Sequence, residues 1–214
     1  EHSIWVQDPQ YALALKGGVT AFHILPGSAN LIGGRGVTVK NLQRNTINSM
    51  KFPDAPHSLK MACGENPKRV YGNRQQAPST RMGNAAGYRK SWIQAEAYLN
   101  RLNEYESKSD DAKEMGYAPQ RDLEMETIAG VLRGEILVHN HCYRADEMAS
   151  MIDVAKEFGY KITAFHHGVE AYKIADLLAD NNICGALWAD WWGFKHEAYD
   201  MVQANIAIVD QARG

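Results

Sequence analysis

The sequence predicts an α/β fold in which helices cross over a parallel sheet, and two observations lead there. A strand-like segment is followed by a helix-like one about six times along the chain, the alternation of a parallel sheet with helical crossovers. Two of those strands also share an ending. Ile136-Leu137-Val138 runs into His139-Asn140-His141, and Ile162-Thr163-Ala164-Phe165 runs into His166-His167. A helical pattern from about Ala145 to Phe158 lies between them. If the two strands are parallel neighbours, their imidazoles gather at one end of the sheet, where the ligands of a metal ion could converge.

Size and charge bound the alternatives. A chain of 214 residues holds one sizeable domain, or one large α/β barrel with a piece missing. At 45% hydrophobic and 22% charged it has an ordinary globular composition. A net charge of −2 gives no general attraction to nucleic acid or to an anionic membrane. No apolar run approaches the roughly 20 residues that span a bilayer. Cys63, Cys142 and Cys184 are odd in number and sit in or beside strand-like segments, so buried free thiols are expected rather than a disulfide framework. Glu1-His2-Ser3 shows neither a signal peptide nor an initiator Met, so the chain reads as part of something longer and its location is not legible from its start.

The elements follow in order. Pro9 to Lys16 reads as a short helix closed by Gly17-Gly18. Val19 to Leu25 is a strand stopped by Pro26-Gly27, and its His23 is either a site residue or a satisfied structural histidine. Residues 28–36 are expected to be a loop before a short strand, Val37 to Lys40. Glycines 33, 34 and 36 either let backbone approach a ligand or simply turn the chain, and Arg35 among them could grip a carboxylate or phosphate. Residues 41–51 hold a short helix, and Ser58 to Cys63 is a strand with Lys60 inside it. An ammonium without a partner is costly to desolvate, so Lys60 needs a counter-group or chemistry that removes its charge. Glu65 stands at that strand's C-terminal end.

Residues 66–84 are polar, basic and aperiodic, and are expected to be a long loop, either a lid or a solvated excursion. Tyr88, Trp92, Ala95, Leu99 and Leu102 then repeat at helical spacing from Ala85 to about Glu106. A charged connector at 107–120 leads to a helix from Arg121 to Arg133. Beyond the histidine strands come a helix from Gly168 to Ala179, a strand from Ile183 to Trp188, an aromatic loop containing Trp191, and a helix from about His196 to Asp210. The aromatic loop could wall a substrate pocket.

Residues two apart on a strand face the same way, so His139 and His141 either both point inward or the second already belongs to the loop. Neutral imidazole suits Zn, Fe or Mn. Two imidazoles alone do not complete a four-coordinate zinc site, so further ligands must come from elsewhere.

Four stretches in order then carry a resemblance. They are 18–28 (Gly18-Val19-Thr20 to Leu25-Pro26-Gly27-Ser28), 59–68 (Leu59-Lys60-Met61-Ala62-Cys63-Gly64-Glu65-Asn66-Pro67-Lys68), Val138-His139-Asn140-His141, and Phe165-His166-His167-Gly168. Together they resemble the amidohydrolase superfamily, nearest its imidazolonepropionase-like and metal-dependent dipeptidase branch, over almost the whole chain. The resemblance implies a TIM-type (β/α)8 barrel with one or two divalent metals, zinc first among them, at its C-terminal mouth. Water activated there attacks an amide or cyclic amide carbonyl. It implies that His139 and His167 are the ligands of the fifth and sixth strands. Lys60 matches the fourth-strand lysine that becomes a bridging carbamate, with Glu65 the rival bridging carboxylate. His141 and His166, with Arg35 and Trp191, are then contacts to the substrate or to the ligands themselves.

The family also needs a His-x-His pair on its first strand and an aspartate, the general base, ending its eighth. His139-Asn140-His141 has the first spelling but the fifth strand's place, and Asp210 lies in a helical pattern. No catalytic base is therefore expected within the chain, and the aspartate is expected beyond Gly214. Residues 1–214 are read as a single partial barrel domain covering roughly strands two to seven. By itself it should bind metal weakly and turn over little or nothing. A small-molecule substrate is implied. Two open edges predict association with itself or with missing segments. The rival expectations are a degenerate barrel that binds a ligand or partner without chemistry, and a deaminase on the same fold.

Overall fold

The computed structural model describes residues 2–212. In chain order the elements are α1 (Gln10–Lys16), β1 (Ala21–Ile24), β2 (Ile32–Lys40), α2 (Ile47–Met50), β3 (Ser58–Ala62), α3 (Glu65–Gly72), α4 (Arg81–Glu106), α5 (Asp110–Glu114) and α6 (Leu123–Leu132). There follow β4 (Leu137–His141), α7 (Ala145–Phe158), β5 (Ala164–His166), α8 (Ala175–Asp180), β6 (Cys184–Ala186) and α9 (Asn205–Gln211).

The strands form one six-stranded sheet in chain order. From β3 to β6 every pair is parallel, as expected, whereas β1, β2 and β3 pair antiparallel. The uniformly parallel sheet is corrected there, because one connection is too short for a crossover and the other holds no full helix to make one. A parallel crossover takes about a dozen residues, usually with a full helix. Residues 25–31 are too few, and 41–57 hold only the single turn of α2.

The sheet curls. In a flat sheet β1 and β4 would lie about 14 Å apart, three strand spacings, yet the rings of His23 and His139 are 4.5 Å apart. The bend is in β2, whose first half pairs with β3 and second half with β1, with a register shift between Ile32 and Gly34. A Cβ at Gly36 would lie 2.5 Å from Ser58 Oγ and 2.6 Å from the Leu25 side chain, so only glycine passes there. The glycine run is thus the interior of a bent strand rather than the loop expected over 28–36. The result is a mixed α/β fold with a curled half-barrel sheet.

Register sorts the side chains onto two faces. Lys60 stands opposite His139, Ala62 opposite His141, and His141 opposite His166, all on the concave face. Leu59, Met61, Val138 and Phe165 alternate to the convex face, where helices bury them completely. Trp92 of α4 is the largest side chain in that layer and stacks on Tyr160 at 4.0 Å.

Helix limits depart from expectation where side chains, not periodicity, decide them. Residues 66–84 are not one long loop, because Glu65–Gly72 is helical. Pro67 falls in its first turn, where a missing N–H costs nothing. Helix α4 starts at Arg81 because Thr80 caps it, its hydroxyl accepting from the Gly83 N–H at 3.0 Å. The predicted closing helix is broken into a short 3₁₀ turn, His196–Ala198, and α9. Asn205 is fully buried there, donating to Gly168 O at 2.9 Å and accepting from the Tyr172 N–H at 2.9 Å.

Cys63 and Cys142 are joined in a disulfide, against the expectation of free thiols, while Cys184 is free and exposed. Each of the pair is the first residue beyond a strand, one past the Ala62–His141 register pair, which brings their Cα atoms to 5.2 Å. Among the described residues no helix is long and apolar enough to cross a membrane.

Candidate functional site

At the C-terminal ends of β4 and β5 the concave face carries a group of imidazoles. His139 and His166 are hydrogen-bonded, Nδ1 to Nε2, at 2.8 Å. His23 reaches His139 across the glycine bend, its Nε2 2.8 Å from Ser58 Oγ. His141 belongs to β4, points inward beside His139, and lies 5.0 Å from His167, ring centre to ring centre. His167 follows β5 with a left-handed backbone (φ 63°), which swings its ring over the mouth, and it lies 6.1 Å from His166. Side by side, β4 and β5 thus bring the four histidines read from the sequence together. They group as His139 with His166 and His141 with His167, and His166 neighbours both.

All four are held neutral. Burial, then the adjacent His23 and Lys60, brings His139 down to about 4. Burial first, then mutual and lysine charge, brings His166 and His167 to about 4 and His141 to about 2. Lys60 is itself pulled below its ordinary value by burial. Its Nζ donates to Pro26 O at 3.0 Å and Ser28 Oγ at 3.3 Å, at the end of β1. A backbone carbonyl and a serine hydroxyl therefore answer the question of what holds a lysine inside the strand.

The remaining predicted residues divide. Glu65 heads α3 and pairs with Lys195 at 3.2 Å. Lys195 in turn donates to Asn66 Oδ1 at 3.0 Å, and Asn66 Nδ2 lies 3.1 Å from His141 Nε2. Trp191 stacks on His167 at 5.7 Å with planes 14° apart and on Trp188 at 4.3 Å. Arg35 stands opposite Leu59 on the convex face and donates to Thr127 Oγ1 of α6 at 2.9 Å, so the structure does not bring it to the imidazoles. Gly214, beyond which the general-base aspartate is expected, lies outside the described residues, as does Glu1 at the other end.

Sequence reasoning did not single out Trp188, Asn66, Lys195 or Glu197. Trp188 Nε1 donates to His167 Nδ1. Glu197 is buried, accepts from the Glu65 N–H at 2.9 Å and from Arg81 at 2.8 Å, and ties the segment after β6 to α3 and α4. Asn66 lies within a quoted motif and Trp188 at a predicted strand end; nothing in the sequence marks Lys195 or Glu197.

The donor chemistry suits a divalent cation, since neutral imidazoles beside a lysine with a lowered pKa are ligands in the right protonation state. His141 Nδ1 is buried without a hydrogen bond, so the cluster is not saturated by its own contacts. As they stand, however, the side chains pair rather than converge. Among the described residues no three or more His, Cys, Asp or Glu are disposed to hold a metal ion.

No family model matches the chain. It is 36% identical over 213 residues to a protein of Hapsidospora irregularis named amidohydrolase tasK, covering 90% of this chain and 21% of that protein. It superimposes with a TM-score of 0.85 and 38% identity on the crystal structure of an amidohydrolase from Thermotoga maritima MSB8, covering 97% of this chain and 52% of the other. The chain thus spans about a fifth of the one relative and about half of the other. The two likenesses support an amidohydrolase family for this chain.

Proposed function

We propose that this chain is the central part, roughly strands two to seven, of a metal-dependent amidohydrolase barrel of the imidazolonepropionase-like or dipeptidase kind. It acts on the C–N bond of a cyclic amide or a dipeptide-like substrate. The observation that carries this reading is the set of four neutral imidazoles at the ends of two adjacent parallel strands, beside a buried lysine. The names of its relatives support hydrolysis in general.

On this reading His139 and His167 would hold the metal, and Lys60, once carbamylated by carbon dioxide, or Glu65 would add a carboxylate-type oxygen ligand. A divalent metal, zinc first, supplies when bound the polarisation of a carbonyl and the acidification of a water. The chain's own residues do the rest. Lys60, its proton affinity lowered by burial, is the residue that would take up carbon dioxide as a carbamate. His166 orients His139 through their shared proton. Trp191, stacked on His167, excludes water from one side of the ring and offers a flat wall to a planar amide. Metal uptake by the chain alone is weak and its turnover negligible, because further polypeptide contributes the other ligands and, beyond Gly214, the general base.

Zinc titration by calorimetry tests this. Uptake should be measurable in the parent chain and reduced at least tenfold in affinity by His139→Ala and by His167→Ala. Unchanged stoichiometry and affinity in both variants would remove the metal reading. Hydrolysis of cyclic amides or dipeptides by the isolated chain well above background would remove the claim that it is incomplete.

A further inference from the structure

Resting on the hydrolase reading, we propose that Trp188 and Trp191 form a fixed aromatic platform that selects substrates carrying a flat, neutral aromatic ring beside the scissile C–N bond. The two indoles stack at 4.3 Å with planes 19° apart, and His167 lies 5.7 Å from Trp191 and 5.6 Å from Trp188. The platform therefore begins at the imidazole group and runs outward from it. An indole has one polar group, its N–H, and that of Trp188 donates to His167 Nδ1. What the ring has left for a ligand is its π surface. With Trp191 taking one face, Trp188 is still 41% exposed.

The platform is held in place by its surroundings. Trp191 packs on a small buried cluster of Tyr143, Val169, Ala198 and Met201, and its backbone N–H donates to Met201 Sδ at 2.8 Å. Trp188 O accepts from the buried Asn205 Nδ2 at 3.4 Å, and Leu187 before it packs against the main core. A surface ordered before the ligand arrives loses little entropy on binding, so the stacking free energy is kept as affinity.

Charge narrows the occupant. Lys195 Nζ lies 4.0 Å over the ring of Tyr143, itself 6.2 Å from Trp191, so a cationic ligand would meet a like charge. An anion would meet the negative π faces of the indoles. A neutral aromatic ring meets neither penalty and stacks offset on Trp188. A saturated ring of the same size buries similar area but lacks the stacking. The short span from Trp188 to His167 brings an amide attached directly to the bound ring towards the imidazoles.

Two uncharged probes of similar shape test the platform: N-benzoylglycine amide and its cyclohexanecarbonyl analogue, each titrated without metal and followed by the indole N–H resonances. The parent chain should bind the benzoyl probe about threefold to tenfold more tightly, the worth of one aromatic stack. Trp188→Leu should remove that preference. Trp188→Phe should keep it, because a ring remains without its N–H, and Trp192→Leu should leave it unchanged. Equal affinities in the parent chain, binding of neither probe, or a preference that survives Trp188→Leu or is lost in Trp192→Leu overturns the platform. Should a variant fail to fold, the comparison of probes on the parent chain still decides. Because no metal is present, a failed zinc titration removes the hydrolase reading and not the aromatic preference, whereas a chain that takes zinc but prefers neither probe loses the platform alone.

Discussion

Glu197 shows how much a single side chain organises here. Its side chain is 1% exposed, and burial, with Glu147 and Glu65 nearby, raises its proton affinity. It stays in place through the Arg81 guanidinium, the Glu65 N–H and the more distant Lys195 at 3.8 Å. A simpler case yields a clean pH prediction. Asp146 accepts from Arg144 at 2.8 and 3.0 Å, which holds its carboxyl below the usual range. A folded-state value below the unfolded one stabilises above about pH 4, and that contribution is lost as pH falls through the folded value. Asp146→Asn should therefore lose less stability than the parent chain in urea titrations between about pH 5 and pH 3. Because the carboxylate is 63% exposed, the difference should be only about 0.5 kcal/mol. Equal acid slopes would show that this pair contributes nothing. The histidines are legible in the sequence because imidazoles at two strand ends are rare and strand alternation fixes their face. Arg35 shows the opposite: a bulge in β2 decides its face, and bulges leave no periodic trace. Trp188 and Lys195 act through loop geometry, which no spacing rule reports.

Elements with a strong apolar period can be read from the sequence, and those fixed by side-chain-to-backbone bonds cannot. Helix α7 has the limits expected from its pattern, ended by Gly159 with φ 70°. Helix α3 escapes such a reading because its short, polar turns carry no period, and its proline reads as a breaker unless its place in the first turn is known. The antiparallel start of the sheet is hidden because residue alternation does not state strand direction; it follows from what each connection holds, a short turn after β1 and a single helical turn after β2. The disulfide depends on register, one step beyond anything composition tells. It closes a stretch with a sequence separation of 79 between β3 and β4. A chain-entropy account of such a loop gives up to about 4.5 kcal/mol. Urea unfolding with and without a reductant should differ by about 2 to 4 kcal/mol, and the native chain should show one reactive thiol, Cys184, before reduction. Three thiols reacting without reductant, or coincident unfolding curves, would show that the bond is not formed.

On the scale of the whole molecule, the half-barrel has an exposed side. Among the described residues β1 and β6 each pair on one edge alone, and every residue of β6 is exposed. Beyond β6 in the chain come Trp192, Phe194 and Tyr199, exposed by 68%, 65% and 62%. Open edges recruit other strands, and aromatic surface of this extent seeks cover. We therefore expect the purified chain to self-associate at micromolar concentration, seen in sedimentation velocity as a concentration-dependent shift. Added salt should strengthen that shift or leave it unchanged, because the surface to be covered is apolar rather than charged. Cys184→Lys places an ammonium on β6, the device by which natural edge strands repel each other, and should move the chain towards monomer without altering its far-ultraviolet dichroism. The covering partner would then be recognised by β6 pairing itself. A compact monomer in the parent chain at tens of micromolar would mean that the curl of the sheet already shields the edge, and association would have to be abandoned.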